Sequence, residues 1–290
     1  MLSRTRPGLA AVHGGTALPL GPTRLVQFVL SMMPSVISRS FSELQHAVKP
    51  RPFERMRLDD KVIVVTVYCL DCKREPSDQF YASQAYYPKH FGGSLNYERV
   101  NVLDAQEMHE VFAAIAAKHQ RMDGLVAAAG IQYVKPFIEY PAEEATRMMD
   151  INFRGVFLGY QAAACQMQKY DTPGSLVSIA SMSGTIANKG LNCCVYNSSK
   201  AAVIQLNKNL AMELSPIRCN SVSPGNILTP MVEKNFQEQP ELKTMWENGN
   251  MLGRISTPEE YREMVVLLLS RAGSFTNGAN IIIDGGYTAW

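Results

Sequence analysis

Residues 175–214, SLVSIASMSGTIANKGLNCCVYNSSKAAVIQLNKNLAMEL, decide the fold that the sequence predicts. The mostly apolar run at 176–180 predicts a buried strand of a parallel sheet. Small polar residues at 181–184 indicate a loop at the end of that strand. From about residue 194 to 214, apolar residues recur at helical spacing, and no glycine or proline interrupts them before Pro216. The stretch therefore predicts a strand, a loop and a helix.

Tyr196 and Lys200 lie four residues apart in the predicted helix, so they share one face about one turn apart. A neighbouring ammonium favours the phenolate and lowers the pKa of a phenol, which then exchanges protons nearer neutral pH. Ser181, at the end of the preceding strand, is placed to hydrogen-bond the same substrate oxygen. The three residues predict proton transfer at a carbinol oxygen. The alternative is an ordinary pair on a helix surface, because this spacing is common by chance.

Composition restricts the other function classes. The chain has 290 residues, 46% of them hydrophobic, and a net charge of +2, which suits one large core and shows no nucleic-acid signature. No apolar run reaches the roughly 18–20 residues of a membrane span, so we expect no membrane insertion. A single Cys-x-x-Cys at Cys69 and Cys72, with no second pair, predicts no metal site. The cysteines suit reduced thiols, and they stand at positions 69, 72, 165, 193, 194 and 219.

Residues 1–50 are predicted to be an N-terminal extension, and residues 51–290 a single domain. Residues 1–42 contain four arginines and six serines but no acidic residue, a composition typical of mitochondrial transit segments. The alternative is a disordered extension without a targeting role. The sequence thus favours a mitochondrial and a cytoplasmic location about equally.

Predicted strands and helices alternate along the rest of the chain, which indicates an α/β fold with a doubly wound parallel, Rossmann-like sheet. A buried amide, Asn152, lies in apolar surroundings within a helical pattern, and it either binds backbone or water or belongs to a proton path. The predicted strands are at 61–66, 97–102, 124–130, 217–223 and 279–283, and the predicted helices at 105–119, 142–167 and 258–270.

The first βα unit is predicted to be truncated. In a dinucleotide-binding fold a glycine-rich turn and a helix follow the first strand, but Thr66 runs into a second β-like run ending at Asp71. Asp71 suits a ribose 2′-hydroxyl and favours NAD. Lys73 and Arg74 would suit a phosphate, so NADP is the second choice.

The ordered motifs resemble those of the short-chain dehydrogenase/reductase family over residues 58–290. The residues of several motifs are most similar to those of fungal polyol and ketose reductases such as D-arabinitol 2-dehydrogenases. The family's glycine-rich turn and first helix are missing from the pattern. The matching pieces are Asp104, the AAAG run at 127–130, Asn152, Ser181, Tyr196 with Lys200, Pro224 with Gly225, and the DGG run at 284–286.

The resemblance implies a catalytic set. Tyr196 would be the acid/base on the substrate oxygen, and Ser181 would orient the carbonyl. Lys200 would hold the nicotinamide ribose and lower the pKa of Tyr196, while Asn152 would hold a water in a proton relay. The implied substrate is a small polyol or ketose, and the implied assembly is a homodimer or homotetramer built on the helices that contain Asn152 and Tyr196.

The resemblance also implies cofactor contacts. Asp71 would meet the adenosine ribose, Asp104 the adenine, and Ile227 and Thr229 the nicotinamide amide. The remaining implied cofactor contacts are Ala129, Gly130, Pro224 and Gly225, and the substrate-pocket hypotheses are Gln132, Cys193 and Met231. The alternative function is a non-catalytic relative that binds no cofactor because the phosphate loop is missing.

Overall fold

The computed structural model describes residues 96–229 and 240–290 without interruption, and only pieces of residues 55–85 and 232–237. The predictions for residues 1–50, for the β-like run after Thr66, for the Cys69/Cys72 pair, and for Asp71 and Met231 lie outside the described residues. The shorter described pieces are Arg55, Met56, Leu58, Lys61, Ile63–Val65, Glu75, residues 80–82, Gln84, Ala85, Val232, Glu233, Phe236 and Gln237.

In the described part of the chain, five parallel strands form one sheet in the order of the sequence. In the register of the central strands, Leu125 lies opposite Leu176, which in turn lies opposite Cys219. All three side chains are fully buried, as expected of a parallel sheet covered on both faces. The strands are β1 (Ile63–Val65), β2 (Gly124–Ala127), β3 (Ser175–Ile179), β4 (Arg218–Pro224) and β5 (Asn280–Ile283).

Among the described residues, helices of eight residues or more connect or follow these strands, and local signals fix several of their ends. Thr257 and Glu260 form a capping box on the 3₁₀ turn before the last helix. The second and third helices are continuous through a π-helical turn at Asp150–Arg154. The helices are α1 (Ala105–His119), α2 (Ala142–Met149), α3 (Gly155–Lys169), α4 (Cys194–Glu213), α5 (Pro240–Asn248) and α6 (Arg262–Leu269).

Helices cover both faces of the sheet, which confirms the predicted doubly wound α/β fold. Phe112 of α1, Tyr160 of α3 and Val203 of α4 belong to one apolar cluster with Leu125 and Leu176. A second cluster joins the α6 residues Leu268 and Leu269 to Val126 and Val177. Successive residues of β2 and β3 therefore face opposite clusters, as the two-residue period of a strand requires.

The predicted strand at 97–102 is wrong. Residues 96–101 have no regular secondary structure, although Val100 and Val102 are buried in the cluster beside α1. Alternating β-branched residues fit any extended segment that packs against a core, so the pattern does not by itself specify a ladder.

The helix Pro240–Asn248 was not predicted, and it buries none of its residues. In the described part of the chain, no helix has the length and apolarity to cross a membrane.

Candidate active site

The carboxyl ends of β2, β3 and β4 meet at one edge of the sheet, because the three strands are parallel and adjacent. Ala129 and Gly130 follow β2, Ser181 follows β3, and Pro224 ends β4. Sequence positions that are far apart are thereby brought to a common edge, the place where open α/β sheets bind their ligands.

Ser181 and Tyr196 contact each other at this edge. Ser181 caps the short 3₁₀ turn Met182–Gly184, where its Oγ accepts a hydrogen bond from the Ser183 amide at 3.2 Å. The Ser181 hydroxyl also lies near the phenol of Tyr196, in the first turn of α4, and it lowers the pKa of that phenol. A Cβ at Gly184 would lie 2.8 Å from the carbonyl carbon of Lys200, so only glycine lets this turn pack so closely on α4.

Lys200 lies behind the two hydroxyl groups, and only 4% of its surface is exposed. Its Nζ donates a hydrogen bond to the Ile179 carbonyl oxygen at 2.9 Å and lies 5.7 Å from the centroid of the Tyr196 ring. Burial lowers the pKa of Lys200 to about 8, because the apolar surroundings disfavour its charged form.

The phenol of Tyr196 has a raised pKa. Burial raises it, the nearby Ser181 hydroxyl lowers it, and the nearby Cys193 thiol raises it further. Burial is the largest of these contributions, and Lys200 is not among them, so the acidifying effect of Lys200 on this phenol stays a prediction. At neutral pH Tyr196 is protonated and can donate its proton.

Asn152 is fully buried and lies in the π-helical turn Asp150–Arg154. Its Oδ1 accepts from the Ile131 amide at 2.8 Å, and its Nδ2 donates to the Ile131 carbonyl at 3.0 Å. The same Nδ2 lies 3.0 Å from Ser199 Oγ, which in turn donates to the Tyr196 carbonyl at 2.7 Å. Asn152 therefore ties the loop after β2 to the helix that contains Tyr196, which is the backbone-binding alternative of the sequence analysis.

The chain that carries this site is similar to known proteins in both sequence and structure. A family model described as enoyl-(acyl carrier protein) reductase matches residues 76–288. The ribulose-forming D-arabinitol 2-dehydrogenase of Candida albicans (strain WO-1) is 38% identical over 202 residues, 68% of this chain and 72% of that protein. The NADH-dependent L-xylulose reductase of Ambrosiozyma monospora is 38% identical over 222 residues, 72% of this chain and 82% of that protein. The crystal structure of a short-chain type dehydrogenase/reductase from Mycobacterium marinum aligns with a TM-score of 0.74 and 32% identity, over 83% of this chain and 100% of that one.

The chain belongs to the short-chain dehydrogenase/reductase family. The predicted resemblance, and with it the likeness to polyol dehydrogenases, is confirmed. As a member of this family the protein is an oxidoreductase that acts on CH–OH groups, and the family uses a nicotinamide cofactor.

The residues at the carboxyl edge of the sheet fit the ribose end of a nicotinamide cofactor. A Cβ at Gly130 would lie 3.3 Å from Lys200 Nζ and 3.4 Å from Asn152 Oδ1, so the backbone passes close to both groups. An ammonium has three donors, and among the described residues Lys200 uses one of them, on the Ile179 carbonyl. The other donors suit ribose hydroxyl groups.

The remaining predicted cofactor residues are held by local contacts. Gly225 packs so tightly on the residue after β5 that a Cβ there would lie 2.7 Å from the Cα of Asp284. Ile227 forms a parallel bridge with Ser256, and Thr229 Oγ1 accepts from the Val232 amide at 3.3 Å. Asp104 caps α1 by accepting from the Glu107 amide at 3.0 Å. The described contacts of Asp104 thus explain its presence without a ligand.

Two predicted substrate residues differ in exposure. Gln132 is exposed and follows Ile131, which Asn152 anchors, whereas Cys193 is buried at the start of α4. Ser199 and Gly184 were not predicted as site residues. The signal for Ser199 was its position three residues after Tyr196, on the same helix face. No spacing signal distinguishes Gly184 from an ordinary loop glycine.

Proposed function

We propose that the protein is an NAD-dependent oxidoreductase that interconverts a small polyol and the corresponding ketose, with Tyr196 as the acid/base. The observation that supports this most directly is the contact between the Ser181 and Tyr196 hydroxyl groups in front of the buried Lys200. One group in this arrangement can donate a proton to a substrate oxygen while the other hydrogen-bonds it.

In the reducing direction, a nicotinamide cofactor held beside Lys200 and Gly130 would supply hydride to the carbonyl carbon of the substrate. Negative charge then develops on the substrate oxygen, and the Ser181 hydroxyl stabilises it by a hydrogen bond. Tyr196 transfers its phenolic proton to that oxygen, which completes the alcohol. In the oxidising direction the phenolate accepts the proton, and Lys200 beside the ring stabilises that anion by its positive charge.

The substrate class and the cofactor are inferred from the relatives. One relative is a D-arabinitol 2-dehydrogenase and another is an NADH-dependent L-xylulose reductase, and both cover more than two thirds of this chain. Their names favour a pentitol or pentulose as substrate and NAD as cofactor, with NADP second. In the sequence, the acid at Asp71, which lies outside the described residues, also favours NAD.

The test compares the full chain with its Tyr196→Phe variant, using D-arabinitol with NAD and L-xylulose or ribulose with NADH. We expect measurable turnover of at least one of these by the full chain. The variant should lose roughly 10²–10⁴-fold in kcat, the usual contribution of a positioned acid/base. Turnover that survives the substitution unchanged would contradict the role of Tyr196.

We further propose that the protein forms a homodimer or homotetramer through the helices α3 and α4. Phe157 on α3 is 40% exposed and Met212 on α4 is 76% exposed, large apolar groups that an interface would cover. Light scattering of the full chain and of a Phe157→Glu/Met212→Glu variant tests this. A monomer in both samples would contradict it.

A further inference from the structure

The segment 186–193 connects the Ser181 turn to α4, and it contains Cys193, whose thiol lies close enough to Tyr196 to raise the pKa of the phenol. The segment contains no regular secondary structure. Side-chain contacts therefore help the few backbone hydrogen bonds of the segment to hold it beside the two hydroxyl groups.

Asn197 provides these contacts. Its Oδ1 accepts a hydrogen bond from Cys193 Sγ at 3.0 Å. Its Nδ2 donates to the Ile186 carbonyl at 2.9 Å and to Asn188 Oδ1 at 3.1 Å. The amide thus uses its oxygen and both N–H groups on one segment, at its two ends and near its middle.

No other residue type of this size can make the same three bonds. An aspartate lacks both donors, and a serine lacks the reach and the second donor. Asn197 also follows Tyr196 directly on the first turn of α4. Any displacement of the segment relative to the phenol must therefore break at least one of these bonds.

The segment is in turn bonded to the loop after β2. The Lys135 amide donates to the Asn192 carbonyl at 2.9 Å, and Lys135 Nζ pairs with Glu144 Oε1 at 2.8 Å. Gln132 precedes Lys135 in the same loop. The two described residues predicted to line the substrate pocket, Gln132 and Cys193, thus lie on two segments that are joined to each other.

We propose that Asn197 is a positioning residue that holds segment 186–193, and with it the substrate-facing side of the site, at a fixed distance from Tyr196. The substrate part of this inference rests on the proposed function. Asn197 itself contacts neither the phenol nor Lys200 through its side-chain hydrogen bonds, so it acts on binding geometry rather than on proton transfer.

The first measurement is the alkylation rate of Cys193 by iodoacetamide, followed by mass spectrometry of the tryptic peptide 190–200. A Cys194→Ser background leaves Cys193 as the single thiol of that peptide. We expect Asn197→Ala to raise the alkylation rate roughly tenfold. The loss of about one hydrogen bond lowers the free energy of local opening of the segment enough to increase its open population by that factor. An unchanged rate would overturn the proposal.

The second measurement is steady-state kinetics of the same variants with the polyol. Asn197→Ala should raise KM roughly tenfold while kcat changes less than about threefold, the pattern of lost binding rather than lost chemistry. The pH profile of kcat should be unchanged. A fall in kcat at constant KM would overturn the positioning role. If the wild type turns over no polyol, the proposed function fails, and the alkylation rate alone decides on Asn197.

Gln205→Ala is the matched control, because Gln205 is exposed on α4 and, among the described residues, its side chain hydrogen-bonds only to Asn209. It should leave both readouts unchanged. Asn188→Ala provides a milder variant that removes one of the three bonds, and it should raise the alkylation rate by a smaller factor. If Asn197→Ala fails to fold, an unchanged rate in Asn188→Ala would overturn the proposal.

Discussion

The ammonium of Lys200 donates a hydrogen bond to the carbonyl oxygen of Ile179 at 2.9 Å, and this bond joins α4 to the last residue of β3. Ser181 follows Ile179 by two residues, and Tyr196 precedes Lys200 by about one helical turn. One buried bond therefore fixes the strand end and the helix face that supply the two hydroxyl groups. The geometry of the site depends on a charged group that is costly to bury.

Replacing Lys200 with methionine should raise the free energy of unfolding at pH 7 and change it much less at pH 10. Burial lowers the pKa of Lys200 from 10.5 to about 8, so between these values the unfolded chain binds the additional proton and stability rises with pH. Below pH 8 the buried charge lowers the free energy of unfolding by its full amount, about 3 kcal/mol. The hydrogen bond to Ile179 offsets part of that cost. Urea unfolding of both proteins at the two pH values measures the difference.

Lys208→Met is the control for this experiment, because Lys208 is exposed on the same helix. It should change the free energy of unfolding by less than about 0.5 kcal/mol at both pH values. A difference between Lys200→Met and wild type that is the same at pH 7 and pH 10 would contradict the burial argument.

The two reaction directions should respond differently to pH. Because burial raises the pKa of Tyr196, the phenol holds its proton at neutral pH. Ketose reduction uses that proton, so kcat/KM for reduction should be level from about pH 6 to 8. Polyol oxidation needs the phenolate, so kcat/KM for oxidation should rise with pH over the same range. Initial rates in both directions check this, and an oxidation rate that falls with pH would contradict it.

Asn152→Ala should destabilise the fold as well as the site. The substitution leaves the amide and carbonyl of Ile131 without their buried partner and removes the contact with Ser199. Each unsatisfied buried group costs about 1–3 kcal/mol, so we expect a loss of about 2–4 kcal/mol. Asn209→Ala, on an exposed part of α4, should cost less than about 0.5 kcal/mol. Thermal unfolding of both variants gives the comparison.

The helix Cys194–Glu213 and the strand Ser175–Ile179 lie within one residue of their predicted bounds. Their apolar periods are strong, and Pro216 marks the end of the helical pattern. The contact between Ser181 and Tyr196 followed from the same two elements, because a strand end and the next helix start are close in an α/β unit.

Other features could not be predicted because they depend on packing between distant residues. The partner of Asn152 is the backbone of Ile131, 21 positions away, and no local pattern encodes that pairing. The pKa of Tyr196 depends on how far the surrounding chain excludes water, whereas the spacing to Lys200 indicates only one of several contributions. Val100 and Val102 show the opposite kind of error. Their alternation predicted a strand, whereas the burial of the two side chains accounts for the pattern without one.

NADH binding decides between the enzyme and the non-catalytic alternative. The sequence after Thr66 lacks the glycine-rich turn whose backbone N–H groups bind the pyrophosphate in comparable folds, so the alternative predicts no binding. We expect the full chain to bind NADH through Lys200 and the Gly130 backbone, and Lys200→Met to bind roughly tenfold more weakly, the loss of one charge-assisted hydrogen bond. Lys208→Met should bind as the wild type does.

A fluorescence titration that shows no NADH or NADPH binding, in a sample that scattering shows to be folded and assembled, would support the alternative. Binding that Lys200→Met leaves unchanged would instead show that the cofactor ribose lies elsewhere, because a buried ammonium with unused donors cannot be removed from a ribose site without loss of affinity.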